Sequence, residues 1–253
     1  MGIGSDLNLP MMTPDSRQRL ALALLWITPA LWSVNYIVAR KAPGVVEPNL
    51  LALGRWALAG LIVGFIARAE LWENRRTLLQ AWPQYLVLGT LGMFLCGAWV
   101  YQGARTTSAM NIALVYSASP VMIALGAVAW LGERFSVRQA LGVALALTGV
   151  MHVIVKGQWL ALAQVQWVAG DAWIVACMLS WAAYALLLKK WRSPLGATAR
   201  LAATSAGGVA VLLPFALWEL LQPSTPTWTL QATLLTVTAA VLPGVGAYWA
   251  YAY

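Results

Sequence analysis

Arg55 is a charged residue well inside an apolar stretch of this chain, LALGRWALAG at residues 51–60. If that stretch crosses a membrane, an ionisable side chain there is costly and usually has a functional role or a partner. The guanidinium could hold a carboxylate of a small molecule through two parallel hydrogen bonds. Alternatively, the side chain could extend along its helix to the nearby membrane surface. The sequence leaves both interpretations open.

Polar and aromatic side chains recur at helical spacing in other apolar runs. Thr28, Trp32 and Asn35 fall at positions i, i+4 and i+7, which lie on one face of a helix. An Asn within an apolar helix needs a partner, either on another helix or on a ligand. Aromatic rings can line a site for apolar or aromatic small molecules, although they can equally serve as packing. We predict these substrate-binding residues: Trp32, Asn35, Tyr36, Arg55, Tyr101, Tyr116, Ser119, Trp181, Tyr184 and Tyr248.

Two further residues mark places where a helix could bend or a path could close. Pro120 stands beside Ser119 in an apolar run, and proline removes a backbone donor and kinks a helix. Glu133, in LGERFS at 131–136, follows the same run. We predict a kink at Pro120 and a gating role for Glu133, with an ordinary helix kink and a solvated turn as the alternatives.

Motifs for metal, nucleotide or nucleophile chemistry are absent from the sequence. There is no Walker A motif and no HExxH, so neither ATP hydrolysis nor a zinc protease is indicated. The chain has one His, and its two cysteines, Cys96 and Cys177, both lie in apolar runs, which favours neither a disulfide nor a metal site. We therefore predict no cofactor, no metal and no enzyme activity.

The elements that position these residues are long apolar runs. Of the 253 residues, 61% are hydrophobic and 9% charged. A helix needs about 20 apolar residues to cross a bilayer, and backbone in hydrocarbon must bond to itself, which favours helices. The sequence predicts an all-α membrane protein, a polytopic bundle of eight transmembrane helices. The runs are about 20–39, 49–69, 83–104, 107–131, 137–155, 168–188, 199–220 and 231–253.

Basic residues predict the orientation, since Lys and Arg collect in cytoplasmic loops. With the N-terminus inside, eleven of them fall on the cytoplasmic side and four on the other, Arg55 being left out. The net charge of +8 is then a feature of topology rather than of nucleic-acid binding. We expect a multi-pass protein of the inner (plasma) membrane with small-molecule substrates and lipids as its partners, either as a monomer or as a homodimer.

An internal repeat appears when the chain is shifted by about 150 residues. LWSVNYIVARK (31–41) then falls near LSWAAYALLLKK (179–190), and GMFLCGAWVYQG (92–103) near VLPGVGAYWAYAY (241–253). A five-span unit reverses the direction of the next copy, which gives an inverted repeat of the kind found in secondary transporters. The second copy stops after three spans, so we expect the sequence to be a truncated piece.

The segment ALVYSASPVMIALGAVAWLGERFSVRQALGVALALTGVMHVI at 113–154 resembles the fourth and fifth helices of an EamA domain, the repeat of the drug/metabolite transporter superfamily. The resemblance implies ten helices in two inverted five-helix repeats, of which this chain holds eight. It implies transport, typically export, of small metabolites such as amino acids. The predicted parts are a cytoplasmic segment 1–19, a first repeat 20–156, an interfacial linker 157–167 and an incomplete second repeat 168–253.

Some functional questions stay open at this level. Proton coupling would need a buried acid, for which Asp171 is the candidate, and facilitated diffusion is the alternative. A membrane-embedded enzyme or a lipid-handling protein is the alternative to a transporter as a whole.

Overall fold

The computed structural model describes residues 14–134, 136–154, 157–160 and 168–252. These residues form helices joined by short turns, and none of them lies in a β-strand. The described helices are α1 (Pro14–Lys41), α2 (Pro48–Ile66), α3 (Arg68–Glu73), α4 (Arg75–Gln80), α5 (Trp82–Gly89), α6 (Cys96–Gly103), α7 (Ala109–Ser117), α8 (Ser119–Leu131), α9 (Val137–Ile154), α10 (Ala169–Lys190), α11 (Ala197–Leu220), α12 (Leu230–Ala239) and α13 (Ala247–Ala252).

Seven stretches of the described chain are long and apolar enough to cross a membrane. They coincide with seven of the eight predicted runs, and the all-α polytopic fold is confirmed. The remaining run, 137–155, forms α9, whose described apolar part Val137–Gly149 is shorter than the others, so the count of eight stays a prediction. The seven spans are Leu22–Lys41, Pro48–Ile66, Trp82–Gly103, Ala109–Leu131, Ala169–Lys190, Ala197–Leu220 and Leu230–Ala250.

Two predicted segments fall mostly outside the described residues. Of the predicted cytoplasmic segment 1–19, residues 14–19 belong to the start of α1. Of the predicted linker 157–167, only 157–160 is described. The division into repeats therefore stays a prediction.

Three spans are interrupted. The span Trp82–Gly103 contains a π-helical segment, Thr90–Leu95, and the span Leu230–Ala250 contains another, Ala240–Gly246. The span Ala109–Leu131 divides at Ala118, where α7 ends and α8 begins, with Pro120 in the first turn of α8. The missing proline N–H is harmless in a first turn. Such interruptions free backbone groups and are frequent at functional sites.

Polar contacts tie the helices together at one end of the bundle, which we call the Glu47 end. The Arg105 guanidinium donates to the Glu47 carboxylate at 2.5 Å. The Glu219 carboxylate, at the end of α11, accepts hydrogen bonds from the backbone N–H of Asn49 and of Leu50 at 2.9 and 3.0 Å. Acid at the first turn of α2 also complements the positive helix terminus.

A second set of contacts marks the opposite end, which we call the Glu133 end. Lys189 pairs with Glu133 at 2.5 Å, and the Gly196 N–H donates to Glu70 at 2.5 Å. Since α1 finishes near the Glu47 end and α10 finishes at Lys190, these two helices run in opposite directions.

Close helix packing depends on glycine where α5 crosses α11. A Cβ on Gly89 would lie 2.2 Å from the Gly208 nitrogen, and one on Gly207 would lie 2.2 Å from the Tyr85 carbonyl oxygen. No side chain fits in such a gap, so the two backbones touch, as small residues allow in membrane bundles. This crossing positions the middle of the bundle.

Candidate functional site

A buried polar cluster joins α1, α2 and α6. The Arg55 Nη1 donates to Asn35 Oδ1 at 2.9 Å and to the Tyr101 hydroxyl at 3.2 Å. The Tyr101 hydroxyl in turn donates to Asn35 Oδ1 at 2.8 Å. Three residues that the sequence offers on separate helices thus form one closed triangle of hydrogen bonds.

Arg55 does not extend to the bundle surface. Only 5% of the residue is exposed, and the guanidinium carbon lies 4.5 Å from the centre of the Trp56 ring. The interpretation that the side chain reaches the membrane surface is therefore wrong, because the guanidinium turns inward to Asn35 and Tyr101. Its Nε is buried and has no hydrogen-bond partner among the described residues. Cation–π contact with Trp56 offsets part of the cost of burying the charge.

Four aromatic rings form a second cluster beside the first. Trp32 lies 5.8 Å from Trp181 and 6.0 Å from Tyr248, centroid to centroid, with edge-on geometry in both cases. Tyr248 also meets Trp181 at 6.2 Å and Trp56 at 5.7 Å. We call Trp32, Trp56, Trp181 and Tyr248 the aromatic cluster. It brings α1 and α2 together with α10 and α13.

A groove of about 470 Å³ leads from the Glu133 end to the aromatic cluster. Glu133, Arg134 and Lys189 stand at its mouth, and Trp32 and Trp181 line it deeper in the bundle. Its wall comes mainly from α8 and α10. The other lining residues are Ser119, Pro120, Ile123, Ala124, Ala127, Val128, Gln139, Ala185 and Leu186.

The polar cluster lies about one helical turn beyond Trp32, which lines the groove. On α1, Asn35 and Tyr36 follow Trp32 by three and four residues, a rise of about 5 Å. On α7, Tyr116 precedes Ser119 by three residues, and the Tyr116 and Tyr36 rings lie 5.8 Å apart. The groove, the aromatic cluster and the polar cluster therefore follow one another along the bundle.

Most predicted site residues come together here. Trp32, Trp181, Ser119, Pro120 and Glu133 line the groove. Asn35, Arg55 and Tyr101 form the polar cluster, with Tyr36, Tyr116 and Tyr248 beside it.

Tyr184 is placed differently from the other predicted residues. It stacks on Trp181 at 5.3 Å but packs into a separate apolar core, against Gly92 of the first π-helical segment. It does not line the groove.

Sequence reasoning missed three residues. Trp56 is 1% exposed and completes the aromatic cluster, and its position next to Arg55 was the available signal. Lys189 lies at the groove mouth. The sequence predicts it only as one of the basic residues on the cytoplasmic side. Glu219 is 8% exposed, so Asp171 is not the only buried acid; an acid at the end of an apolar run could have revealed it.

Asp171 is itself buried at the Glu47 end. Its carboxylate accepts hydrogen bonds from the Thr107 hydroxyl, the Asn111 side chain and the Val168 N–H. These contacts begin α10 and tie it to α7, which explains the acid structurally. Among the described residues no group of His, Cys, Asp or Glu could hold a metal ion.

The fold and the clusters define a polytopic helical membrane protein with a charged site inside the bundle. The EamA-like transporter family matches residues 19–155. The chain belongs to that family, and this points to a transporter rather than an enzyme.

Two curated proteins of Bacillus subtilis (strain 168) are similar to the chain. The uncharacterized transporter YyaM is 27% identical over 157 residues, which is 62% of this chain and 52% of YyaM. The uncharacterized transporter YvbV is 29% identical over 171 residues, which is 64% of this chain and 54% of YvbV. The chain thus spans about half the length of these relatives. No solved structure matches it.

Proposed function

We propose that this protein is a secondary transporter that exports small organic metabolites, such as amino acids or related compounds, across the cytoplasmic membrane. The observation that carries the proposal is the groove of about 470 Å³ whose lining extends from Glu133, Arg134 and Lys189 to Trp32 and Trp181. A solute entering it would meet Trp32 and Trp181 and then the polar cluster around Arg55. Because the chain spans half of its relatives, the activity is proposed for the whole protein.

The two ends of the bundle differ in the way that alternating access requires. At the Glu47 end, Arg105 bonds to Glu47, and Glu219 bonds to the first turn of α2. At the Glu133 end, the groove lies along α8 and α10, which pack against each other and are joined there by the exposed Lys189–Glu133 pair. This arrangement supports an inward-facing state in which the Glu47 end forms the closed gate.

Matching element boundaries support two inverted repeats. Helix α1 ends at Lys41 and α10 at Lys190, α2 begins at Pro48 and α11 at Ala197, and the π-helical segments begin at Thr90 and Ala240. Each pair is separated by the spacing of the sequence repeat, about 150 residues.

The contacts between helices also follow the two repeats. The span containing the first π-helical segment packs on α11, and the span containing the second packs on α2. Likewise α6 packs on α10 as α13 packs on α1. Two similar halves of opposite direction can exchange conformations, which is the physical basis of rocking in such transporters.

The basic residues orient the proposed cycle. With the N-terminus in the cytoplasm, the Glu133 end faces the cytoplasm, and the Glu47 end faces outward. Solute for export then enters the groove past Glu133 and Lys189, and leaves when the contacts of Glu47 and Glu219 open.

Flux into proteoliposomes tests this function. The full-length protein is reconstituted, and counterflow of radiolabelled amino acids, aromatic acids and amines is compared with that of protein-free vesicles. We expect saturable uptake of at least one of these solutes. Absence of flux for every solute in the panel, from protein that is folded and incorporated, would overturn the proposal.

A further inference from the structure

The charge of Arg55 has no acidic counter-ion among the described residues. The described carboxylates that make hydrogen bonds or ion pairs do so near the ends of the bundle: Glu47, Glu70, Glu133, Asp171 and Glu219. The partners of Arg55 are a neutral amide and a neutral phenol. Burying an ionised group without an opposite charge is strongly unfavourable, and such groups are normally paired.

The hydrogen bonds leave one edge of the guanidinium unused. Both bonds to Asn35 and Tyr101 come from Nη1. Nε is buried and has no partner among the described residues, and neither of the two bonds uses Nη2. Nε and Nη2 form one edge of the planar group, and their two parallel N–H bonds match the two oxygens of a carboxylate.

The triangle fixes the orientation of this edge. Asn35 Oδ1 accepts from both Arg55 and Tyr101, so the guanidinium is held on one side from two different helices. A group positioned in this way loses little side-chain freedom on binding, which favours affinity. Buried donors are normally paired, so the unpaired Nε of Arg55 is the donor that a bound carboxylate would use.

The aromatic residues around Arg55 indicate the chemistry of the rest of the ligand. Trp56 lies against the guanidinium, and Tyr248 connects Trp56 to Trp32 and Trp181 at the end of the groove. These rings separate the groove from Nε, so rotation of Trp32 and Tyr248 would join the two. An apolar or aromatic body would then lie among the rings with its anionic group on Arg55.

We propose that Arg55 is the anion-binding residue of the transport site and that the transported solute is a monocarboxylate with an apolar or aromatic body. This rests on the proposed function and narrows its substrate class. A small inorganic anion shares the single negative charge of a monocarboxylate. The experiment distinguishes these two ligands.

The test compares matched carboxylates and amides. Quenching of tryptophan fluorescence in the full chain is titrated with butyrate against butyramide, phenylacetate against phenylacetamide, and N-acetylphenylalanine against its amide. We expect the acid of at least one pair to bind at least about tenfold more tightly than its amide, as a charge-assisted bidentate contact allows. We expect chloride not to displace it.

Variants assign the preference to Arg55. R55Q should abolish the difference between acid and amide, and R55K should keep part of it, since a lysine supplies charge without the bidentate edge. R68Q is the matched control, because Arg68 is exposed and its guanidinium contacts the Phe65 carbonyl and ring. Size-exclusion profiles show whether each variant is folded. If R55Q is not folded, the acid–amide comparisons in the native protein and in R55K test the role of Arg55.

Equal binding of acid and amide in all three pairs would overturn the inference, as would a preference that survives in folded R55Q. Displacement of the acid by chloride at equal concentration would assign an inorganic anion site and also overturn it. If one of these results is found but neutral solutes or amines are still transported, the carboxylate inference fails and the transporter proposal stands.

Discussion

The indole rings of Trp32 and Trp181 meet edge to face, 5.8 Å apart, and both line the groove. One ring comes from α1 and the other from α10, helices that run in opposite directions through the bundle. In the proposed transport cycle, contact between these rings closes the path toward Arg55. Movement of α1 against α10 would open it.

Replacing Trp181 with Ala should reduce transport without loss of folding. The variant removes an aromatic wall of the groove, and losing about 1.4 kcal/mol of contact with the solute corresponds to a tenfold change. We expect counterflow to fall about tenfold per amount of incorporated protein. W218A is the control, because Trp218 is 63% exposed on the outer side of α11. Equal loss in both variants would contradict a role of the groove.

Replacing Gly89 with Ala should destabilise the bundle. The new Cβ would lie 2.2 Å from the Gly208 nitrogen, and forcing backbones apart in a packed core costs about 1–3 kcal/mol. The thermal midpoint in detergent should fall. G142A is the control, since a Cβ there has no neighbour within 4 Å and Ala is the better helix former. A midpoint of G89A at or above the native value would show that α5 and α11 do not touch.

Replacing Glu219 with Gln should weaken the Glu47 end. The carboxylate accepts from two backbone N–H groups and the Asn49 amide, and hydrogen bonds to a charged group are worth about 1.5–3 kcal/mol each. A cysteine at Leu50, in a chain whose Cys96 and Cys177 are replaced by Ala, should then react faster with an impermeant maleimide added outside. E73Q, at an exposed position, should leave the rate unchanged. No acceleration in E219Q would remove Glu219 from the gate.

Replacing Glu133 with Gln should alter access to the groove rather than stability. The Lys189–Glu133 pair is exposed on both sides, and such pairs contribute less than about 1 kcal/mol. The thermal midpoint should stay near the native value, whereas a cysteine at Ala124 inside the groove should be labelled faster from the cytoplasmic side. A large drop in the midpoint, or unchanged labelling, would contradict a gating role.

The helices could be predicted because lipid imposes one rule on every span. A run such as 49–69 must be apolar for about 20 residues and must satisfy its own backbone, and α2 occupies Pro48–Ile66. Hydropathy does not reveal the π-helical segments, because both are as apolar as the helices around them; the second contains Pro243, which lacks the backbone N–H of a regular helix.

The site was predictable in residue type but not in arrangement. Hydropathy does not fix the rotation of a helix about its axis, so the sequence could not decide whether Arg55 turns toward Asn35 or toward the membrane surface. The same uncertainty explains Tyr184, which follows Trp181 by three residues on α10 but packs into another core. Glu219 was missed because its sequence position is that of an ordinary acid at the membrane interface. Only its contact with Asn49, which is distant in sequence, distinguishes it.

The proposed transport cycle requires the Glu47 end to open. Cysteines at Glu47 and Arg105, whose side chains meet at 2.5 Å, can be joined by a reducible bis-methanethiosulfonate linker in the chain without its native thiols. Counterflow should then fall to the level of protein-free vesicles and return on reduction, while either single-cysteine variant treated alike keeps its flux. Undiminished flux through fully cross-linked protein would contradict the account.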